Sequence, residues 1–262
     1  MNEKSVIVTG GASGIGFETS KALIESGYNV IVVDNDSNTY EYFLKALPNN
    51  QDKFSFLKLD LSDWTAGKSV MDYCKDTNVH PFALINNIGA RSNRDLLTED
   101  LESWDTTFSL SLRAAFAVSQ SFITQNSYPG MRYIVNIGSV TASFVSHQSP
   151  AYHVSKAGLE GLTRYLAVAA PAHARGINVN CLSLGFIVQK RHLNKFHDVK
   201  NTGYKDTAQK HLPNGEVGLE IDVINAIHFL ISGKADFING AVIPLEGGAT
   251  LIEHFTSTWF NR

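Results

Sequence analysis

Short apolar runs alternate with amphipathic stretches along almost the whole chain. Residues 4–9 (KSVIVT), 28–34 (YNVIVVD), 53–60 (KFSFLKLD), 82–87 (FALINN), 131–139 (MRYIVNIGS), 176–183 (GINVNCLS) and 239–246 read as strands. Near-continuous apolar runs of this kind suit strands buried on both faces, as in a parallel sheet. Between them, residues 16–26, a short segment ending at Leu47, and residues 64–75, 99–125, 150–170 and 216–232 space their apolar positions as helices do. In the long helix 99–125, Trp104, Phe108, Leu112, Ala115, Phe116 and Ser119 mark one face. Ser149-Pro150 offers a capping oxygen and a proline at the first helical position; Pro171 is expected to close that helix. Strands alternating with helices imply right-handed βαβ units. The expected fold is α/β: one domain over residues 1–262, a doubly wound parallel sheet of about seven strands with helices on both faces. Residues 185–215 interrupt the alternation. A connection that long, holding Phe186, Leu193, Phe196 and Tyr204, reads as a substrate-binding loop or lid.

Composition adds exclusions. With 44% hydrophobic and 18% charged residues, the chain can bury a sizeable core. A net charge of -3 gives no strong attraction to nucleic acid or an anionic membrane. No apolar run reaches membrane-spanning length, and the N-terminus lacks the basic start and apolar core of a signal peptide. Cys74 and Cys181 lie far apart, without metal-ligand spacing, and read as reduced buried thiols of a cytoplasmic protein that needs no metal.

Chemistry concentrates in three places. The stretch Thr9-Gly10-Gly-Ala-Ser13-Gly14-Ile15-Gly16 lies between the first strand and the first helix. Glycines there allow a tight turn and a close approach of backbone to a pyrophosphate at the helix N-terminus. Asp34 closes the second strand, eighteen residues after Gly16. That is where a dinucleotide fold places an acid for the adenosine ribose. A carboxylate there repels a 2′-phosphate, and no Arg or Lys neighbours it, which points to NAD as cofactor. Tyr152 and Lys156 are four residues apart on one helix face. An ammonium beside a phenol favours the phenolate, so the tyrosine can exchange a proton near neutral pH.

These motifs, in this order, resemble the short-chain dehydrogenase/reductase family, with its Rossmann-like fold, over nearly the whole chain. The Gly-x-x-x-Gly-x-Gly loop is Gly10 to Gly16; Asp60-Leu61 resembles the pair that contacts adenine; Asn86-Asn87-Ile88-Gly89 stands for the family's Asn-Asn-Ala-Gly. Ser139 ends the fifth strand thirteen residues before Tyr152, and Asn239-Gly240 and Glu246-Gly247-Gly248 resemble the closing strand. The resemblance implies an NAD-dependent oxidoreductase that moves a hydride between nicotinamide and a secondary alcohol or ketone. Tyr152 would be its general acid/base, Lys156 would tune the phenol and hold the nicotinamide ribose, and Ser139 would bind the substrate oxygen. Cofactor contacts would come from Gly10, Ser13, Gly14, Ile15, Gly16, Asp34, Asp60, Leu61, Asn87, Gly89, Tyr152, Lys156, Gly185 and Ile187. A homotetramer or homodimer is also implied, through the two long helices around Phe108, Phe116 and Leu162.

The departures matter. Ser111 stands where the family has an asparagine that supports a water linked to the lysine. A serine is both donor and acceptor and can hold a water, though its reach is shorter. The usual Pro-Gly after the sixth strand reads Leu184-Gly185, and a frequent threonine is Gln189. Three readings stay open: a dehydrogenase, a biosynthetic ketoreductase or epimerase on the same scaffold, and a catalytically weak NAD-binding regulatory protein. For substrate contacts the candidates are Arg91, His147 and Phe186. Arg91, Arg94 and the basic loop residues Lys190, Arg191, His192, Lys195, His197 and Lys200 could attract an anionic substrate, or could be ordinary solvated charges. The aromatic tail (Phe255, Trp259, Phe260) is expected to dock on a neighbouring subunit or on its own chain.

Overall fold

Strands β1 (Ser5–Thr9), β2 (Asn29–Asp34), β3 (Phe54–Lys58), β4 (Pro81–Asn86), β5 (Arg132–Ser139) and β6 (Ile177–Leu184) are the apolar runs expected from the sequence. A two-residue pair, β7 (Ile187–Val188) and β8 (Gly218–Leu219), stands apart, and β9 (Val242–Leu245) is last. The structure is a computed structural model, which describes residues 4–36, 38–197, 206 and 211–252. The main sheet is wholly parallel, in the order β3–β2–β1–β4–β5–β6–β9. The order reverses between β1 and β4, and a ligand cleft opens at such a switch point, beyond the carboxyl ends of the strands.

Helices α1 (Gly14–Glu25), α2 (Asn38–Ala46), α3 (Ala66–Asp76), α4 (Leu101–Phe108), α5 (Ala114–Gln125), α6 (Pro150–His173), α7 (Lys190–His197) and α8 (Glu220–Ile231) cover the sheet. Alternate residues of each strand feed opposite faces. Val6, Val8, Val30 and Val32 pack under α1 and α8 with Phe17, Leu23, Val223 and Ile227. Ile7, Ile31 and Val33 pack under α3, α5 and α6 with Val70, Val118, Phe122 and Leu166. The doubly wound single domain is therefore as expected.

Three local expectations are corrected. The helix expected over 99–125 is interrupted by a π turn, Ser109–Arg113. A π turn inserts one residue into the helix. Ala115 and Ser119 are buried, whereas Trp104, Phe108, Leu112 and Phe116 are only half-buried. Secondly, Pro171 lies inside α6 rather than after it. It removes the N–H that would bond Ala167 O; Asn239 Nδ2 donates to that carbonyl instead, at 3.0 Å, while Asn239 Oδ1 accepts from Val179 N at 2.9 Å. Thirdly, the helix expected from residue 216 starts at Glu220, because Gly218 and Leu219 pair with Ile187 and Val188.

The stretch 185–215 carries β7 and α7 in its described part. Lys200, Tyr204, Phe255, Trp259 and Phe260 lie outside the described residues. Among the described residues no helix is long and apolar enough to cross a membrane.

Candidate active site

A cavity of about 430 Å³ opens at the carboxyl ends of the strands. Its floor is the turn after β1. Gly10 and Gly14 hold φ of +59° and +52°, which favours glycine. A Cβ on Gly16 would lie 2.1 Å from Gly10 O and 2.5 Å from Asn87 Nδ2, so α1 packs against its own loop only because residue 16 is glycine. Ser13, Gly14 and Ile15 bring the start of α1 to the cavity wall. The Ser13 side chain makes no capping bond there, so the positive end of the helix faces the cavity. Asn87 Nδ2 donates to Thr9 O (3.2 Å) and Gly10 O (3.0 Å), tying the β4 turn to the β1 turn. Asp34 sits at the end of β2, where its Oδ2 accepts from Ala12 N at 3.1 Å and its Oδ1 from Asn35 N at 2.9 Å. Asp60 and the buried Leu61 continue the wall, and Asp60 Oδ1 accepts from Ser62 N at 2.9 Å.

At the other end of the cavity the catalytic candidates converge. Ser149 caps α6, accepting from Tyr152 N at 3.3 Å. This starts the helix so that Tyr152 and Lys156 both lie on the cavity wall, each 4% exposed. Lys156 Nζ is 5.6 Å from the Tyr152 ring centroid and donates to Ile137 O at 2.7 Å. Arg91 Cζ stands 5.7 Å from the same centroid. Burial alone pushes the Tyr152 phenol up. The Lys156 ammonium, then the Arg91 guanidinium, then hydrogen bonds from Arg91 and Ser139 outweigh it, leaving the phenol below its ordinary value. Ser139 is itself buried at the end of β5, and its Oγ also accepts from Thr141 N at 3.3 Å. The result is a hydroxyl beside a phenol held below its ordinary value, at one end of the cavity floored by the glycine turn.

Comparison with known proteins agrees with this geometry. A family profile described as enoyl-(acyl carrier protein) reductase matches residues 10–250. The chain belongs to the short-chain dehydrogenase/reductase family. A 7alpha-hydroxysteroid dehydrogenase of Bacteroides fragilis is 27% identical over 252 residues, 95% of each chain. A 3-oxoacyl-(acyl-carrier-protein) reductase of Buchnera aphidicola subsp. Schizaphis graminum is 31% identical over 251 residues, 95% of this chain and 98% of the relative. Among solved structures, 4-hydroxyisoleucine dehydrogenase complexed with NADH superposes with a TM-score of 0.82 at 25% identity, covering 96% of this chain and 100% of that one.

This short-chain dehydrogenase/reductase is thus an oxidoreductase of the CH–OH and keto class, in a family that binds a nicotinamide cofactor. Its own residues fit such a cofactor. The glycine turn leaves backbone-close space at the start of α1. Gln189, on the wall of the same cavity, holds a buried Oε1 without a hydrogen-bond partner, 3.2 Å from where a Cβ on Gly14 would be.

The remaining expectations divide. Gly89 and Asn87 line the cavity; Gly16 supports it from behind. Ser111 is buried beside it. Its Oγ accepts from Ala90 N at 3.1 Å and donates to Ala90 O at 3.3 Å. A Cβ on Gly89 would lie 3.4 Å from Ser111 Oγ and 3.6 Å from Lys156 Nζ, so the two groups flank that glycine. Gly185 and Ile187 follow β6 without reaching the cavity wall, where Leu184 and Gln189 appear instead. His147 and Phe186 are exposed and do not line it either. His147 turns to Gln148, with its Nε2 2.9 Å from the amide nitrogen. Arg94 pairs with Asp100 and donates to Thr98 O. Of the basic loop residues Arg191 reaches the cavity wall; α7 begins at Lys190, whose N–H bonds Glu220, a contact between segments thirty positions apart.

Proposed function

We propose that this enzyme transfers a hydride between NAD(H) and a secondary alcohol or ketone, with Tyr152 as general acid/base. The observation that carries this reading is the buried Tyr152 ring with Lys156 Nζ 5.6 Å and Arg91 Cζ 5.7 Å from its centroid, two cations that lower the phenol against its own burial. A bound nicotinamide supplies or accepts the hydride. In reduction, negative charge grows on the substrate oxygen as the carbonyl carbon is attacked. The Ser139 hydroxyl donates a hydrogen bond to that oxygen and Tyr152 gives it a proton. The phenolate left behind is stabilised by Lys156 and Arg91. In oxidation the same phenolate takes the hydroxyl proton.

Gly10, Ser13, Gly14, Ile15 and Gly16 would receive the pyrophosphate, Asp34 the adenosine ribose, and Asp60 and Leu61 the adenine. Asn87, Gly89, Tyr152 and Lys156 would hold the nicotinamide half; Gly185 and Ile187, which do not reach the cavity wall, would support it from the lid. Asp34 supports NAD over NADP, since its carboxylate repels a 2′-phosphate; Arg191 shares the cavity, so this preference rests on Asp34. Residues 185–215 would act as the lid. The relative that is a 3-oxoacyl-(acyl-carrier-protein) reductase favours ketone reduction as the physiological direction. A homotetramer or homodimer is supported by a second cavity of about 750 Å³ along the long helices, walled by half-buried Phe108, Leu112, Phe116 and Leu162. The cytoplasm suits the buried Cys74 and Cys181 thiols, which burial pushes to about 12 and about 11.

Tyr152→Phe tests the mechanism. Turnover should fall by at least about 100-fold, the low end for a lost acid/base group, while NADH affinity stays within a few-fold. Turnover at the wild-type rate in this variant would remove Tyr152 from the chemistry.

A further inference from the structure

Beyond helping Lys156 to stabilise the phenolate, Arg91 holds a position that suits a ligand in the cavity. The backbone is pinned on both sides of it. On one side Ser111 Oγ holds both the N–H and the carbonyl of Ala90. On the other, Ser92 O accepts from Ser149 N at 3.2 Å, which fastens the loop to the cap of the catalytic helix. The exposed guanidinium between these anchors lies over the Tyr152 ring and lines the cavity.

Every acid of its own loop is engaged elsewhere. Asp95 accepts from Leu97 N and Thr98 N, both at 3.0 Å. Asp100 takes Arg94. Glu99 Oε2 accepts from Ala151 N at 3.4 Å, and its other oxygen is buried without a hydrogen-bond partner. Among the described residues no carboxylate pairs with Arg91. A guanidinium is a planar fork of donors that matches a carboxylate with two parallel bonds. One such fork suits one carboxylate; a phosphoryl group calls for more positive charge. The other cations of the cavity have other surroundings: Lys156 Nζ donates to Ile137 O and faces the Tyr152 ring, and Arg191 belongs to α7.

We infer that Arg91 is a specificity-determining carboxylate anchor, and that the substrate is a short hydroxy acid or oxo acid whose carboxylate lies close to the reacting carbon. The closeness follows from geometry, because an anion touching Arg91 must lie beside the oxygen that the Tyr152 phenol serves. The guanidinium rests over the Tyr152 ring, 5.7 Å from its centroid. This inference rests on the hydride-transfer reading for the position of the reacting carbon, but its binding test does not need turnover.

The test is calorimetric titration of the NADH-loaded enzyme with lactate and 3-hydroxybutyrate, each against its neutral amide and against a short alkyl phosphate. Wild type should bind an acid at least about 10-fold more tightly than its amide, the scale of a charge-assisted pair. In Arg91→Gln the ratio should fall to near one, and Arg91→Lys should keep part of it. Thermal unfolding serves as the folding control in both variants. A wild type that does not prefer acids overturns the inference. So does a preference that survives in Arg91→Gln, or tighter binding of the phosphate. Acid-selective binding with no oxidation of NADH by the matching oxo acids, pyruvate and acetoacetate, would leave the anchor standing and remove the hydride-transfer reading. Turnover of neutral alcohols without acid selectivity would do the reverse.

Discussion

Replacing Ser111 by alanine separates two roles that its position allows. The Oγ accepts from Ala90 N and donates to Ala90 O, at 3.1 and 3.3 Å. Alanine leaves that N–H and carbonyl without their partner beside a side chain that is only 1% exposed. Losing a hydrogen bond at a half-buried amide, where water can enter in part, costs about 1–2 kcal/mol. For a domain of this size the melting temperature should drop by roughly 2–8 °C. Ala90 and Arg91 would loosen together, so KM should rise for substrates that reach Arg91, while kcat changes by only a few-fold. Thermal unfolding followed by circular dichroism, with steady-state kinetics on the same preparation, reads all three quantities. An unchanged melting temperature with a kcat loss of more than about 100-fold would refute the anchoring role and make Ser111 part of the proton path.

Other outcomes stem from the same structure. Lys156→Ala removes the strongest force holding the Tyr152 phenol down, so the rise of alcohol-oxidation rate with pH should move to higher pH; a pH–rate profile with an unmoved inflection would contradict the pairing. Glu220 is raised by burial, then opposed by its bond from Lys190 N, so its contribution favours the fold below the unfolded value of about 4.3 and is lost as pH rises through the folded one. Glu220→Gln keeps an acceptor for Lys190 N and should be more stable than wild type at neutral pH, with the gap closing under acid; urea titrations at both pH values read this. Asn239→Ala strips the partners of Ala167 O and Val179 N and should cost about 1–3 kcal/mol. In a Pro171→Ala background part of that cost should vanish, because residue 171 regains an N–H for Ala167 O; full additivity in the double-mutant cycle would refute the link.

Much of the fold and the site is legible in the sequence alone. The buried strands are unbroken apolar runs, and a parallel sheet is what such runs demand. The glycine turn, Asp34, Asn87, Ser139, Tyr152 and Lys156 hold their places through local rules of turn, strand end and helix cap. What the chain does not announce depends on contacts distant in sequence. The π turn at Ser109–Arg113 inserts a residue that no spacing of apolar residues reveals. Pro171 reads as a stop until Asn239, 68 positions later, supplies the missing donor. Arg191 lines the cavity from α7, which begins at Lys190, whose N–H bonds Glu220, thirty positions away. Arg91 is visible in the sequence as a charge beside a turn, but its seat over Tyr152 needs Ser111 and Ser149 to pin the loop.

The central claim is hydride transfer with NAD, and single-turnover absorbance at the nicotinamide band tests it most directly. Enzyme loaded with NADH, mixed with a panel of ketones that includes oxo acids, should lose that absorbance on at least one of them, and should do so less with NADPH. Enzyme that binds NADH tightly and never changes its absorbance with any ketone or alcohol would contradict the account and mark the protein as a nucleotide-binding regulator.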